Sequence, residues 1–358
     1  YTNINIQTSI MFQFKKPIDF HIHLRDNEML PFTLSQCTTY FSGAIVMPNL
    51  EIPIDTMDKL INYRNRINKH IPPNTTFTPY MTLYITKDLT PETLELANKD
   101  GNVIGCKLYP CNATTNSSYG FKSVFDYNHI YSKMEELDLV LLIHGELPNG
   151  NEIDFVSSVM PDLVHKFPKL RIVLEHISTS CACDFIKKYP NVGATITPHH
   201  LYFTKDDVAR TPHLQCCPPI QSIADKEALI ELATSGASNV FVGTDSAPHT
   251  SYKKDKYNSK GIYNTPVALS IYLEIFEKAN KLENFEKFIY TNGINFYKLN
   301  NSHHNPTNLT YKKQLFNHPT YYHIDTTLDN NNTTLDDTNI KDKTKVVYSM
   351  TQNLTWSR

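Results

Sequence analysis

The sequence has 358 residues, of which 40% are hydrophobic, and its 34 Lys and Arg against 36 Asp and Glu give a net charge of −2. This length suits one large α/β domain or two smaller ones, and the near-neutral charge gives no reason to expect nucleic acid or a membrane surface as a partner. Seven cysteines without a C-x-x-C pair argue against a zinc ribbon or a disulfide framework and favour a reducing compartment. The chain lacks a secretory signal pattern and any run of about 18 apolar residues, so we expect a cytoplasmic protein.

Eight short apolar runs, many of them rich in β-branched residues, alternate with segments long enough to form helices. The predicted strands are Ile18–His23, Ala44–Met47, Phe77–Leu83, Val103–Leu108, Leu139–His144, Ile172–His176, Ala194–Thr197 and Val240–Thr244. The predicted helices are Asp55–Asn68, Pro91–Asn98, Val124–Leu137, Phe155–Phe167, Ala182–Lys188 and Lys226–Thr234. Strands that alternate with helices form parallel βαβ units, and eight such units predict an α/β fold of the (β/α)8 TIM barrel type. No G-x-G-x-x-G or Walker loop follows a strand, which disfavours a nucleotide-binding open sheet.

Composition divides the chain into three parts: an N-terminal extension (1–16), the barrel (17–300) and an Asn-rich C-terminal extension packing on the barrel (301–358). In the last part, Asn300–Asn308 and Leu328–Asn339 read as surface loops. Lys345–Trp356 alternates well enough to predict an ordered strand.

Polar side chains end most of the predicted strands. The C-terminal ends of barrel strands meet at one rim, where the chemistry of this fold is located, so these side chains are candidates for one site. His21 and His23 lie two residues apart on the first strand and therefore on one face. The full set is His21, His23, Arg25, Pro48-Asn49, Lys107, His144, Glu175-His176 and Asp245. Each of these residues alone has an ordinary structural explanation. Their predicted location at the same rim of the barrel favours a shared functional site.

Four imidazoles, one carboxylate and one lysine are too many ligands for one tetrahedral zinc, and they suit two neighbouring metals joined by a bridge. A neutral lysine cannot bridge two metals, but its carbamate presents two oxygens. Lys107 suits this role because its strand is otherwise apolar, and burial lowers a lysine pKa towards the free amine that carbamylation needs.

These residues lie in motifs that resemble the amidohydrolase superfamily, and specifically the class II, bacterial-type dihydroorotases of pyrimidine synthesis. The similar segments run in the family's order over roughly three quarters of the chain. They are Asp19–Asp26 (DFHIHLRD), Met47–Asn49, Lys107–Pro110 (KLYP) with Asn112–Ser118 (NATTNSS), Leu142–Glu146, Glu175–Ile177, Thr195–Pro198 and Gly243–His249 (GTDSAPH).

The resemblance implies a dinuclear zinc enzyme. One metal would be held by His21, His23 and Asp245, the second by His144 and His176, and Lys107 would bridge them as N6-carboxylysine. A hydroxide between the metals would attack L-dihydroorotate, with Asp245 moving the proton to the leaving nitrogen. The implied reaction is the reversible hydrolysis of L-dihydroorotate to N-carbamoyl-L-aspartate, the third step of de novo pyrimidine synthesis.

The resemblance also implies how the small-molecule substrate is bound. Arg25 would grip its carboxylate, with an ion pair of Arg25 with Asp26 or Glu28 as the structural alternative. Further expected contacts come from Asn49, Thr114, Thr115, His144, Cys217, His249 and Thr265. The Asn112–Gly120 segment would close over the substrate. Cys217-Pro218-Pro219 departs from the family's pattern, which puts its contact with the substrate ring in doubt.

Two alternatives stay open. Another cyclic amidohydrolase, such as a hydantoinase or allantoinase, would share the metal ligands but lack the anchor formed by Arg25, Asn49 and His249. A catalytically dead barrel could serve as a scaffold. The family also implies a homodimer, and neither nucleic acid nor a membrane is expected as a partner. His199 and His200 are interpreted as structural residues, and Cys181/Cys183 and Cys216/Cys217 as unreactive packing residues.

Overall fold

The computed structural model describes residues 10–299, 307–316, 319, 321–324, 345–347 and 354–358. Eight parallel strands lie in the order in which they occur in the sequence, each hydrogen-bonded to the next. They are β2 (Ile18–Ile22), β3 (Gly43–Val46), β4 (Thr78–Tyr84), β5 (Val103–Leu108), β6 (Val140–His144), β7 (Ile172–Glu175), β8 (Val192–Ile196) and β9 (Val240–Val242). All eight predicted strands are confirmed, with end positions that differ by up to two residues.

The barrel closes just after β9. The backbone N–H of Asp245 donates to the carbonyl of His21 at 2.9 Å, and the N–H of His23 donates to the carbonyl of Ser246 at 3.2 Å. The buried Asp19 carboxylate strengthens this seam, because it accepts hydrogen bonds from the backbone N–H of His21 (3.1 Å) and of Thr244 (2.9 Å). The first and last strands are thereby held together where the predicted metal ligands lie, as a (β/α)8 TIM barrel requires.

Helices connect the strands and cover the outside of the barrel. They are α1 (Met29–Tyr40), α2 (Met57–His70), α3 (Pro91–Asp100), α4 (Asn128–Glu136), α5 (Glu152–Ser158), α6 (Met160–Lys166), α7 (Ser180–Lys188), α8 (Pro198–Tyr202), α9 (Lys205–Arg210), α10 (Ile223–Thr234), α11 (Ser251–Tyr257), α12 (Ala268–Lys278) and α13 (Asn292–Tyr297). Shorter helical turns are Val124–Tyr127, Pro212–Leu214, Leu282–Asn284 and the π-helical Lys287–Thr291. None of the helices in the described part of the chain has the length and hydropathy that crossing a bilayer needs.

Two predicted helices are interrupted. The predicted Val124–Leu137 helix begins as a 3₁₀ turn and continues as α4. The predicted Phe155–Phe167 helix is the pair α5 and α6, which meet at Val159. Pro161 lies in the first turn of α6, where its missing N–H costs little but where it cannot continue the preceding helix.

A second sheet joins both ends of the described chain. Strand β1 (Met11–Lys15), from the predicted N-terminal extension, pairs antiparallel with β10 (Asn308–Phe316), which pairs with β13 (Leu354–Ser357). Phe14 packs edge-on against Phe285 with ring centroids 5.1 Å apart, and this links the sheet to the core. The division of the chain into three parts stays a prediction.

The predicted strand Lys345–Trp356 is extended at both of its described ends, which pair in two different sheets; residues 348–353 lie outside the described residues. Lys345–Val347 forms β12, which pairs with β11 (Tyr321–His323), whereas Leu354–Ser357 belongs to the other sheet. The alternating pattern identified extended backbone but could not show that its two ends pair with different strands. The predicted loop Leu328–Asn339 and most of Asn300–Asn308 lie outside the described residues.

Candidate active site

The seam of the barrel brings three predicted metal ligands together. The Asp245 carboxylate lies 3.1 Å from Nε2 of His23 and 3.4 Å from Nε2 of His21. One ligand atom from each of these side chains lies within 4.8 Å of the others. Burial opposes ionisation of Asp245, but the adjacent imidazoles of His21 and His23 hold its pKa well below the usual range. A carboxylate with two imidazoles is a donor set that binds divalent zinc.

Glu175 fixes the orientation of His21. Its carboxylate accepts a hydrogen bond from Nδ1 of His21 at 2.5 Å and another from the Thr195 hydroxyl at 2.7 Å. Nε2 of His21, fully buried, has no hydrogen-bond partner among the described residues and faces Asp245. Holding one ring nitrogen by a carboxylate while the other stays free is the usual arrangement around a metal-binding histidine.

Lys107 ends β5 inside the barrel and is fully buried. Its Nζ has no hydrogen-bond partner among the described residues, and it lies 5.2 Å from the ring centre of Tyr109. Burial lowers the pKa of Lys107 to about 8, against the opposing effect of the Glu175 and Asp245 carboxylates. A buried amine with this pKa is a suitable group for carbamylation.

His144 and His176 complete the set on the next two strands. Their ring centres are 4.7 Å apart, and the ring of His176 lies 4.9 Å from that of His21. Nε2 of His144 lies 2.7 Å from the Glu146 carboxylate, whereas Nδ1 of His176 has no hydrogen-bond partner among the described residues. Burial lowers the pKa of His176 well below its usual value, so this imidazole is neutral, as a metal ligand must be.

The residues present fit divalent metal ions. Four buried polar atoms in this small volume have no partner within the described chain: Nε2 of His21, Nζ of Lys107, Nδ1 of His176 and Oε1 of Glu175. Leaving such groups unpaired costs about 1–3 kcal/mol each. Burial also lowers the pKa of His23, to about 4, so it too is neutral at physiological pH. Cations bound here would give these atoms the partners that the protein does not supply.

Arg25 lies beside the metal ligands with its guanidinium held in place. Its Nε donates to the carbonyl of Pro248 at 3.2 Å, and Nη2 lies 3.1 Å from Nε2 of His249. The alternative ion pair with Asp26 is not formed, because Asp26 binds Arg66 through two hydrogen bonds of 2.9 and 2.7 Å. The Arg25 charge is therefore available to an anion in the cavity.

The segment after β5 covers the site and is held there by Asn49. The Asn49 side-chain amide donates to the carbonyl of Thr115 at 2.9 Å, and its side-chain oxygen accepts from the Tyr109 hydroxyl at 3.0 Å. Asn116 donates in return to the carbonyl of Asn49 at 3.1 Å. The predicted lid Asn112–Gly120 therefore lies over the metal ligands in this conformation.

A cavity joins these features. Its lining consists of His23, Arg25, Asn49, Tyr109, Thr114, Thr115, His144, His176, Cys217, Asp245, Ala247, Lys260 and Gly261. His249 lies at its edge, 3.5 Å from the Thr115 hydroxyl. His249 and Thr265 are the two predicted contacts that are absent from this lining. The Thr265 hydroxyl donates to Ser246 at 2.8 Å, and Lys260 and Gly261 line the cavity from the same loop.

Sequence reasoning placed Glu175 at the rim without giving it a role. It assigned no role to three further residues: Glu146, which contacts an imidazole, and Tyr109 and Lys260, which line the cavity. Glu175 and Glu146 each lie within two residues of a predicted ligand, so a carboxylate close to a ligand histidine was the available signal. Nothing in the sequence around Lys260 indicated its position.

Comparison with known proteins identifies relatives of this chain. No family model matches the sequence. A dihydroorotase of Coxiella burnetii is 43% identical over 300 residues, covering 80% of this chain and 86% of that protein. A dihydroorotase of Escherichia fergusonii is 39% identical over 302 residues, covering 81% and 87%.

Solved structures agree with these relatives. Dihydroorotase from Campylobacter jejuni superposes with a TM-score of 0.84 at 34% identity, covering 98% of this chain and 97% of that one. Dihydroorotase from Saccharomyces cerevisiae, in complex with 5-fluoroorotic acid, gives 0.85 at 30% identity, covering 97% and 98%. An L-hydantoinase from Arthrobacter aurescens, at 16% identity and a TM-score of 0.69, shares the fold alone. With the barrel, the convergent metal ligands and these relatives, the chain belongs to the dihydroorotase family, a family of metal-dependent cyclic amidohydrolases.

Proposed function

We propose that this chain catalyses the reversible hydrolysis of L-dihydroorotate to N-carbamoyl-L-aspartate and that it uses two zinc ions to do so. In the hydrolytic direction, water adds to the ring amide carbonyl, the C–N bond breaks, and the nitrogen leaves with a proton. The reverse direction closes the ring and is the biosynthetic one.

The donor set allows two neighbouring metal sites. His21, His23 and Asp245 would hold one zinc, His144 and His176 the other, and Lys107, carbamylated to N6-carboxylysine, would bridge them. When bound, the metals polarise the scissile carbonyl and lower the pKa of water. Support comes from Nζ of Lys107, which has no hydrogen-bond partner among the described residues, and from the burial that lowers its pKa to about 8.

Asp245 is proposed as the proton carrier. Its carboxylate is ionised, because His21 and His23 hold its pKa well below the usual range, so it can accept the proton of the attacking water. It lines the cavity, where the leaving nitrogen must also lie. Delivery of that proton to the nitrogen completes the cleavage.

Arg25 is proposed to anchor the substrate carboxylate. Its guanidinium makes one hydrogen bond to a backbone carbonyl and one contact with His249, which leaves donors free for a charge-assisted pair. Asn49 and His249 flank the same part of the cavity, and Thr114 and Thr115 close it from the lid. Closure excludes water that would compete for the reacting carbonyl.

One observation carries this proposal: a cluster of buried candidate metal ligands lies next to the Arg25 guanidinium, which forms no ion pair with a carboxylate among the described residues. The test is an assay of L-dihydroorotate hydrolysis with the zinc-loaded protein, together with the variant Arg25→Ala. We expect turnover by the parent protein, and its loss in the variant while the zinc content stays equal to that of the parent protein.

The alternatives predict other results. A hydantoinase-type enzyme would hydrolyse an uncharged hydantoin equally well before and after the Arg25→Ala change. A scaffold without activity would bind no zinc and turn over neither substrate. The homodimer and the cytoplasmic location stay predictions; sedimentation velocity tests the first.

A further inference from the structure

We propose that His199, His200 and Cys216 form a separate site for a thiophilic divalent cation of the Zn²⁺ class. All three side chains are buried, and one ligand atom from each lies within 4.8 Å of the others. Across the described residues, the only other group of His, Cys, Asp and Glu this compact is His21, His23 and Asp245. The proposal does not depend on the proposed activity, because it concerns residues outside the catalytic cage.

Two of the candidate ligands, His200 and Cys216, lie close to a backbone carbonyl oxygen that could be a further metal ligand. Nε2 of His200 lies 3.1 Å from the carbonyl oxygen of Pro218, and Sγ of Cys216 lies 3.2 Å from the same oxygen. Nε2 and Sγ are 4.0 Å apart. A tetrahedral zinc with bonds of about 2.1 Å to N and O and about 2.3 Å to S separates its ligand atoms by about 3.3–3.6 Å. The three observed separations lie within about half an ångström of that cage, which side-chain adjustment can supply.

His199 supplies the independent observation. Its ring is fully buried, and Nε2 has no hydrogen-bond partner among the described residues, while Nδ1 lies 3.1 Å from the side-chain amide of Asn264. A buried imidazole nitrogen without a partner destabilises the folded protein, and ligation of a cation removes that penalty. Ligation through Nε2 places the ring proton on Nδ1. Oδ1 of Asn264, without a partner among the described residues, can accept that proton after rotation of the amide group, which exchanges the 2.8 Å hydrogen bond that Nδ2 donates to the carbonyl of Thr244.

The orientation of His200 is already fixed for this purpose. Nδ1 of His200 lies 2.8 Å from the Thr197 hydroxyl, which is also the N-cap of α8. The opposite nitrogen, Nε2, therefore points at Pro218 and Cys216. A ligand histidine held through its second nitrogen is the arrangement expected around a bound metal.

Binding of a cation at this site would release a proton from the Cys216 thiol. Burial raises the pKa of the Cys216 thiol well above its usual value, so without a cation the thiol stays protonated and donates to Pro218. Binding forms the metal–sulfur bond and releases the thiol proton to solvent, while the proton of His200 moves from Nε2 to Nδ1. One proton is therefore released per ion bound.

A cation here would join α8 to a segment 16 residues further along the chain. His199 and His200 lie in α8, directly after β8, and Cys216 precedes Cys217, which lines the active-site cavity. Cys217 in turn contacts the lid, with its Sγ 3.4 Å from the carbonyl of Ala113. The inferred role is structural: it fixes the cavity wall against which the lid closes.

Cobalt substitution of the full chain tests the site, since the catalytic ligands include no sulfur. We expect a thiolate-to-cobalt charge-transfer band in the near ultraviolet that is absent from Cys216→Ser. Cys217→Ser tests the neighbouring cavity thiol, and Cys183→Ser, a buried cysteine of α7, is the matched control; both should keep the band. Zinc titration should give one ion more per chain for the parent protein than for Cys216→Ser.

Calorimetry in two buffers with different ionisation enthalpies should show one proton released for the additional ion. If Cys216→Ser does not fold, His199→Gln keeps the thiol and should weaken the extra ion at least tenfold. Equal zinc stoichiometry in the parent and the variants, or a cobalt spectrum without a thiolate band, would overturn the proposal. Hydrolysis of L-dihydroorotate by Cys216→Ser shows independently whether the catalytic metals remain.

Discussion

Nδ1 of His21 donates to the carboxylate of Glu175 at 2.5 Å, across 154 residues of sequence. Burial alone would raise the pKa of Glu175, but His21 and Lys107 bring it below the usual value, so the carboxylate is ionised. It thereby fixes the tautomer of His21 and aims Nε2 at Asp245. His176 follows Glu175 with φ +41°, a left-handed conformation that breaks the alternation of the strand. The side chains of Glu175 and His176, although adjacent in sequence, can therefore both lie near His21.

The Glu175→Gln variant is expected to bind zinc about 10–100-fold more weakly, because it loses the charge that orients His21 and increases its basicity. The measurement is zinc occupancy in metal buffers of graded free-zinc concentration, which does not depend on turnover. Glu231→Gln, at an exposed glutamate of α10, is the control and should leave occupancy unchanged. Unaltered zinc affinity in Glu175→Gln would show that the contact is merely structural.

Lys107 should be carbamylated in the zinc-loaded protein, and Lys254 should not. Burial lowers the pKa of both lysines to about 8. They differ in surroundings: Nζ of Lys254 donates to the carbonyl of His213 at 2.7 Å, whereas Lys107 lies among the imidazoles. After loading with ¹³C-bicarbonate and zinc, the carbamate resonance should disappear in Lys107→Met and persist in Lys254→Met. Its survival in Lys107→Met would refute the assigned bridge.

The barrel and its rim could be predicted from the sequence because both depend on local patterns. The eight strands are apolar runs, and His21, Lys107, His144 and Asp245 each stand at or beside the end of one of them. The parallel order of the strands then brings these ends together without further information. This is why residues far apart in the chain could be assigned to one site.

What could not be predicted depends on backbone conformation and long-range pairing. The left-handed backbone at His176 and Asp245 turns side chains in directions that strand alternation does not give. The irregular loop after α11 places Lys260, rather than the predicted Thr265, in the lining of the cavity. The pairing of β1 with β10 joins segments about 300 residues apart, and pattern alone does not identify such partners.

Tyr109→Phe should weaken substrate binding by loosening the lid. The Tyr109 hydroxyl is buried and donates to Asn49, whose amide holds the carbonyl of Thr115. Loss of a neutral hydrogen bond costs about 0.5–1.5 kcal/mol, so we expect KM for L-dihydroorotate to rise about two- to tenfold. Tyr131→Phe removes another buried hydroxyl, bonded to Val124 outside the site, and should leave KM unchanged. Equal effects of the two changes would argue against a role in lid closure.

Lys260→Met should raise KM for N-carbamoyl-L-aspartate more than KM for L-dihydroorotate. The open-chain compound carries two carboxylates and the cyclic one carries one, and Lys260 adds a positive charge to the cavity lining. An exposed charge pair contributes about 0.2–1 kcal/mol, so the two KM values should diverge by up to about fivefold and converge in high salt. The equilibrium constant is fixed, so kcat/KM should fall equally in both directions. Lys256→Met, outside the lining, is the control; a uniform change in both KM values would contradict the charge argument.

Glu152 should make stability depend on pH. Its carboxyl accepts hydrogen bonds from the backbone N–H of Ser178 at 2.9 and 3.0 Å, and burial raises its pKa from about 4.5 to about 8. In the folded protein it therefore stays protonated up to about pH 8, while the unfolded chain releases the proton near pH 4.5. The contribution of Glu152 is fully present below pH 4.5 and is lost as the pH rises to about 8.

The Glu152→Gln variant cannot ionise and should lack this slope. Relative to the parent protein, its free energy of unfolding should therefore improve between pH 5 and pH 8, by a few kcal/mol at most, since one pKa unit corresponds to about 1.4 kcal/mol. Urea unfolding of both proteins at pH 5, 6.5 and 8 measures this difference, and other titrating groups cancel in the comparison. A difference that stays constant across the three pH values would mean that Glu152 is ionised in the folded protein, with the hydrogen bonds from Ser178 outweighing its burial.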